Sequence, residues 1–300
     1  MIRTRVRRNV VVLAGALSLG LISASCATPL PYGGPPTATR TFRAITVTVN
    51  SSNDGCFLFC PYKDEPKVIN IGFRVRMGVA NSAAGQVSIG ANHWNGVFEQ
   101  GPGEGQSHTY LSNEQGTSTF AGVAMPDLLD LAQGAPLEIA GVWAWKVEDD
   151  GILAANVNNI ADAMVPAIKA ALNQTLAVSA VPNNANQIVS AIVAAIGNLG
   201  FFNLFATVFT GLLNNLNIAS DDVVGSAMYV GVGSSGSLAG IIDGVLGGVA
   251  FPSVVIPTLV VPPDIGGGKI FSLGTGTKSF TDASTNGGVD GQHTTTYTFG

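Results

Sequence analysis

Two hydrophobic periods run along the chain. "KVINIGFRVRM" alternates: Ile69, Ile71, Phe73, Val75 and Met77 fall on one parity, and Asn70, Arg74 and Arg76 on the other. "FRAITVTV" alternates in the same way. A period of two with one polar face predicts antiparallel strands whose polar side meets water. "QVSIG" and "STFAGVA" are shorter pieces between glycine-rich turns, and "PLEIAGVWAWKV" is a long strand. In it Leu137, Ile139, Trp143 and Trp145 share a parity, so both tryptophans should turn into the core rather than line a sugar-binding face.

The period changes after about residue 152. Val157, Ile160, Met164, Ile168, Ala171 and Leu172 recur at three and four, the stripe of an amphipathic helix. Pro166 is expected to kink or interrupt it. "VPNNANQ" breaks the pattern, with Asn183 or Asn184 as a helix N-cap. Ile188, Ile192, Ile196 and Leu199 then form a second stripe, and Phe205, Phe209, Leu212 and Leu216 a third. From residue 218 short apolar pieces return. "SAMYVGVG", "SVVIPTLVV" and "TTTYTF" read as strands, whereas "SLAGIIDGVLGG" fits helix or strand.

This order predicts a mainly β domain over residues 41–300. Its architecture is an antiparallel β-sandwich with a helical insertion at about 152–217, the helices covering a sheet face or edge. One stretch carries an alternative. Residues 188–213 hold no charge and are long enough to span a bilayer. Asn198, Asn203, Thr207 and Thr210 give the stretch a polar side, which favours two amphipathic helices. A membrane-inserting or pore-forming hairpin is the second reading.

The N-terminus reads as an address. "MIRTRVRRN" is basic, residues 10–22 are apolar, and "SASCAT" is a small-residue exit. This is the layout of an export signal, here residues 1–27. Either a peptidase cuts after Ala27, or Cys26 is lipidated, since "SASC" is like a bacterial lipobox. Residues 28–40, rich in proline and glycine, form an extended tether. The expected location is therefore secreted, or lipid-anchored on the outer side of the cell membrane. Export leaves Cys56 and Cys60 of "CFLFC" as the remaining pair, and an oxidising space favours a local disulfide between them over metal binding.

Charge is sparse, at 11% of residues. Losing Arg3, Arg5, Arg7 and Arg8 leaves 10 basic against 19 acidic residues, a net −9. No basic stripe offers a nucleic acid a footprint. Anionic lipid would be repelled unless a cation bridged the two surfaces.

Against that background, three acidic clusters stand out: Asp64 and Glu65 before one strand, Glu148, Asp149 and Asp150 after another, and Asp221 and Asp222 before a third. Strand starts and strand ends can share one rim of an antiparallel sandwich. Seven carboxylates at one rim would suit calcium, which takes six to eight oxygens from separate loops. The plainer reading is that Asp149 and Asp150 cap the helix that follows.

The order "DEP" then strand, strand then "EDDG" then helix, and "SDD" before a late strand resembles a group of uncharacterised bacterial secreted proteins. That group looks like a calcium- and lipid-binding sandwich of the protein kinase C conserved type with inserted helices. The likeness covers residues 64–229. Lys67 stands where the group has an aromatic after "DEP", and the acidic run here is shorter. The resemblance implies the sandwich more than an activity, with calcium at the acidic clusters; membrane association is expected through calcium or through a lipid anchor on Cys26.

Other motifs point elsewhere only weakly. "GVGSSG", residues 231–236, matches the glycine pattern of a dinucleotide loop but lacks an evident strand–helix–strand setting, and it reads as a glycine turn. His93, His108 and His293 are scattered, and neither a nucleophile elbow nor a metalloprotease motif occurs. The expectation is an exported, non-enzymatic binding or structural protein acting at the cell envelope with calcium at an acidic rim.

Overall fold

The computed structural model describes residues 33–52, 64–91, 101–148, 153–177, 223–247, 264–283 and 291–300, with a few isolated positions from 179 to 194. The strands are β1 (Thr37–Ser52), β2 (Pro66–Arg76), β3 (Ala84–Ile89), β4 (Ser107–Thr109), β5 (Ser118–Ala124), β6 (Glu138–Glu148), β7 (Val223–Val232), β8 (Asp264–Ser272), β9 (Lys278–Ala283) and β10 (Gly291–Phe299). The helices are α1 (Leu128–Ala132), α2 (Leu153–Thr175) and α3 (Gly236–Leu246). The fold is mainly β, with two five-stranded sheets packed face to face and helices on the outside of one of them.

One sheet is antiparallel, in the order β4-β1-β10-β9 with β5 also pairing with β1. The other runs β3-β2-β6-β7-β8 and is mixed, because β7 and β8 are parallel. The sandwich is therefore not wholly antiparallel as expected. The parallel pair requires a crossover, and α3 is part of it; "SLAGIIDGVL" is thus helical. β1 begins at Thr37, inside the stretch expected as tether.

Strand parity assigns the two layers. Ile69, Ile71, Phe73 and Val75 of β2, Met77 just past its end, and Ile139, Trp143, Trp145 and Val147 of β6 face the helices. There they meet Met164, Ile168 and Leu172 of α2 and Leu238, Ile242 and Leu246 of α3. Both tryptophans are buried as the alternation required, with ring centroids 4.4 Å apart. The opposite parity of β6, namely Ala140, Val142 and Ala144, faces the antiparallel sheet. Small residues there leave room for the large rings of the facing layer. Phe42 stacks on Tyr297 at 5.2 Å, and Tyr229 lies 4.7 Å from Phe280.

The polar face of β2 meets water only toward its end, whereas the alternation argument had all of it wet: Asn70 is buried, Arg74 half-buried and Arg76 exposed. This face turns toward the second sheet. Asn70 is fully buried and donates to the Gly116 carbonyl at 2.6 Å. Arg74 donates to the Ala121 and Gly122 carbonyls of β5 and forms an ion pair with Glu138, itself fully buried. Pro166 does not interrupt α2, which is helical through it. The hydrogen bond that Pro166 cannot make would end on the carbonyl of Asp162, and both residues are exposed, so water can serve that carbonyl.

Cys26, Cys56 and Cys60 lie outside the described residues, as do Phe205, Phe209, Leu212, Leu216 and nearly all of residues 188–213. Among the described residues no helix is long and apolar enough to cross a membrane. Ile188 is described and buried in the helix-facing core.

Candidate functional site

The rim of interest follows from strand register. β2 begins where β6 ends, with Pro66 opposite Glu148. β7 begins beside the same place, with Val147 opposite Val223. β8 starts at that end too, because it is parallel to β7 and pairs Asp264 with Gly225. The three segments carrying the acidic clusters therefore flank three neighbouring strand ends on one rim. Asp64, Glu65 and Glu148 are described and buried there. Asp149, Asp150, Asp221 and Asp222 lie outside the described residues, each within two positions of a strand end on this rim.

The second sheet contributes to the same end. Ser52, the end of β1, pairs with Gly291, the start of β10, and Ala283, the end of β9, pairs with Thr294. Two side-chain contacts tie the sheets together. The Nε2 of His293 lies 2.6 Å from Oδ2 of Asp64, with both residues buried. The Nζ of Lys146 lies 2.7 Å from Oδ2 of Asp282, an ionic contact without hydrogen-bond alignment. Lys146 also points its ammonium at the His293 carbonyl, 3.4 Å away.

Oδ1 of Asp64 and Nδ1 of His293 are buried and accept or donate no hydrogen bond among the described residues. The bond joins Nε2 of His293 to Oδ2 of Asp64 and leaves the second polar atom of each group without one. One Asp64 oxygen is fixed by this bond, and the other has a lone pair to offer. Among the described residues no group of three or more histidine, cysteine, aspartate or glutamate side chains is arranged to hold a metal.

His293, Lys146 and Asp282 were missed by the sequence argument. Their signal was parity. His293 and Thr295 occupy the inward positions of β10, in line with Tyr297 and Phe299, and Lys146 is inward on β6. A charged or titratable residue at an inward position of an alternating strand marks a buried polar contact. Asp282 also acts on its neighbours. Burial pushes the phenols of Tyr229 and Tyr297 well above the usual tyrosine range, and the Asp282 carboxylate adds to both shifts.

The remaining polar features have local roles. His108 Nε2 lies 2.8 Å from Glu114, whose same oxygen accepts the Leu111 N–H and closes a turn. "GVGSSG" does sit in a strand–helix–strand unit, which the sequence reading had not found. Its glycines nevertheless serve packing: a Cβ on Gly231 would strike Leu273, a Cβ on Gly233 would strike the Ala124 carbonyl, and Gly236 has φ 53°. Backbone that close to protein leaves no cradle for a pyrophosphate, so the glycine-turn reading fits. The loop also lies at the rim opposite the acids. A groove of about 210 Å³ lies between β3 and β5, where Arg74 is the one ionisable lining residue and already serves β5 carbonyls.

No family model matches the chain, and no curated protein and no solved structure does either.

Proposed function

We propose that the chain is an exported, non-enzymatic binding protein that takes calcium at the acidic rim and acts at the cell envelope. The observation that carries this reading is the register: β2, β6 and β7 are neighbours, and their ends at one rim are the ends that the acidic clusters flank. The donor set suits a hard cation, which prefers carboxylates from separate loops. Asp64 fits as one ligand, since Oδ1 is a buried acceptor without a hydrogen bond. Like charges gathered without a cation repel one another, so a bound divalent ion would relieve the rim. The resemblance over residues 64–229 points the same way, and the export-like N-terminus puts the protein where calcium is plentiful.

The test is thermal unfolding with and without calcium. A ligand that binds only the folded state stabilises it by about 2.7 kcal/mol at a hundredfold excess over Kd. Calcium should raise the midpoint by several degrees, and magnesium, which demands tighter octahedral geometry, should raise it less. An unchanged midpoint in millimolar calcium sinks the reading.

A further inference from the structure

We propose that Lys146 and Asp282 condense into an internal amide, a covalent tie between the two sheets that goes beyond the calcium reading and uses none of its ligands. Lys146 stands on β6, the middle strand of the mixed sheet, and Asp282 on β9, an edge strand of the antiparallel sheet. Their side chains are 2% and 16% exposed. Nζ lies 2.7 Å from Oδ2, which puts it no more than about 4 Å from the carboxyl carbon. Reacting atoms held for attack stand about 3–3.5 Å apart. The backbone carbonyls of Asp282 and His293 face Nζ at 3.5 and 3.4 Å and hold it over β9 and β10. Aromatic rings pack beside the pair. Phe280 lies two positions before Asp282 on β9, and the Tyr229 ring is 4.7 Å from it and 5.5 Å from Tyr297. The Asp282 charge reaches both phenols, which places its carboxyl against this cluster.

A second lysine–aspartate pair supplies the contrast. Lys278 donates to Asp243 at 2.9 Å in good alignment, the two side chains are 28% and 27% exposed, and Asp243 also accepts from the Ser272 N–H and the Thr275 hydroxyl. Water and neighbouring donors serve that pair as ions. Lys146 and Asp282 are drier, and their contact is shorter yet lacks hydrogen-bond alignment. Lysine is almost never buried this far unless paired, and a buried ion pair often returns less than its desolvation costs. Condensation removes both charges. Nζ gives one proton to the facing carboxylate, which leaves an amine and an uncharged acid. The amine lone pair forms the N–C bond to Cγ of Asp282. The C–O bond to the hydroxyl then breaks, and the hydroxyl leaves as water with a second proton from the nitrogen. An ammonium and a carboxylate thus become one amide and one water, with no oxidant, reductant or co-reactant. Fixing the two groups in one place supplies the proximity that free amines and acids lack, and a site closed to water protects the product from hydrolysis.

The experiment is intact mass and peptide mapping of the protein purified from its native host, reduced and with its N-terminus assigned. Wild-type protein should be one water lighter than its sequence requires. The map should contain a joined peptide pair, one member carrying Lys146 and the other Asp282, while the peptides of Lys278 and Asp243 stay separate. Lys146→Met and Asp282→Ala should each restore the full mass and abolish the joined pair. Loss of stability in these variants does not bear on the bond, because it follows from breaking an ion pair as well; the wild-type mass and map decide even where a variant fails to fold. Wild-type protein at full mass with separate Lys146 and Asp282 peptides overturns the proposal. A water loss that maps only to a cyclised aspartate–glycine step, such as Asp150–Gly151, overturns it too.

Discussion

Glu138 holds the two sheets together at the rim opposite the acids, and replacing it tests how the sandwich closes. Its carboxylate is fully buried. One oxygen takes the Arg74 guanidinium, and the other accepts the Ala124 N–H at 2.9 Å and lies 3.7 Å from Arg76. Arg74 in turn holds the Ala121 and Gly122 carbonyls. Glu138→Gln keeps the shape and an acceptor for Ala124 but removes the charge. Breaking a buried pair costs about 3–5 kcal/mol. Arg74 is 22% exposed and retains its carbonyl partners, so the cost falls at or below that lower bound, about 2–3 kcal/mol. At about 2–4 °C per kcal/mol for a chain of this size, the melting temperature should fall by about 4–12 °C. A double-mutant cycle with Arg74→Met, read by urea unfolding, isolates the pair. We expect a coupling above about 1.5 kcal/mol; a value below about 0.5 kcal/mol, typical of exposed pairs, refutes the clamp.

Gly141→Ala should destabilise by about 1–3 kcal/mol, because its Cβ would meet the Phe73 ring and the Tyr229 carbonyl in the centre of β6; an unaltered urea midpoint contradicts this packing. Burial alone would raise the Asp243 carboxyl, but the Ser272 N–H, the Lys278 ammonium and the Thr275 hydroxyl outweigh it and hold the group below the usual range. Its stabilising effect is thus present above the unfolded aspartate value near 3.9 and lost as pH falls through the lower folded value. Asp243→Ala should cost about 1–2 kcal/mol at pH 7, mostly through the Ser272 N–H left without its acceptor, and the difference from wild type should shrink in acid; a constant difference from pH 7 to pH 2 contradicts it. Tyr110, Tyr229 and Tyr297 have phenols raised by burial. Their raised folded values stabilise nothing below the unfolded value near 10 and favour unfolding above it, so absorbance titration should show these three of the 5 tyrosines ionising only as the fold is lost. Reversible ionisation of all 5 in folded protein contradicts that burial.

The layers were legible wherever period and parity sufficed. β2 and β6 alternate cleanly, and the helix-facing side of each came out as read, including Trp143 and Trp145. What parity cannot say is what the other face meets. Asn70, Arg74 and Arg76 look like a wet face in one strand's sequence; Arg76 is indeed exposed, whereas the facing sheet buries Asn70 and its β5 carbonyls, with Glu138 of β6, half-bury Arg74. The parallel β7–β8 pair was hidden for a related reason: glycine-rich "SLAGIIDGVLGG" has too little side-chain contrast to declare its period. Of the rim, Asp64, Glu65 and Glu148 could be named because acids at strand ends are visible in a charge-poor chain. The contacts of His293 with Asp64 and of Lys146 with Asp282 span 229 and 136 positions, and no local pattern reports a contact at that separation.

Direct titration calorimetry with calcium tests the acidic rim most plainly. The wild-type protein should bind calcium with a measurable heat at one class of site. Asp64→Asn should weaken the affinity at least tenfold, since it keeps the side chain's size and shape but takes a formal charge from a ligand whose buried Oδ1 makes no hydrogen bond. Asp149→Asn and Asp222→Asn should do the same from the other two clusters. Wild-type protein that evolves no heat with calcium, or three variants that bind as wild type does, would show that these acids are ordinary strand-end residues and that the rim holds no cation.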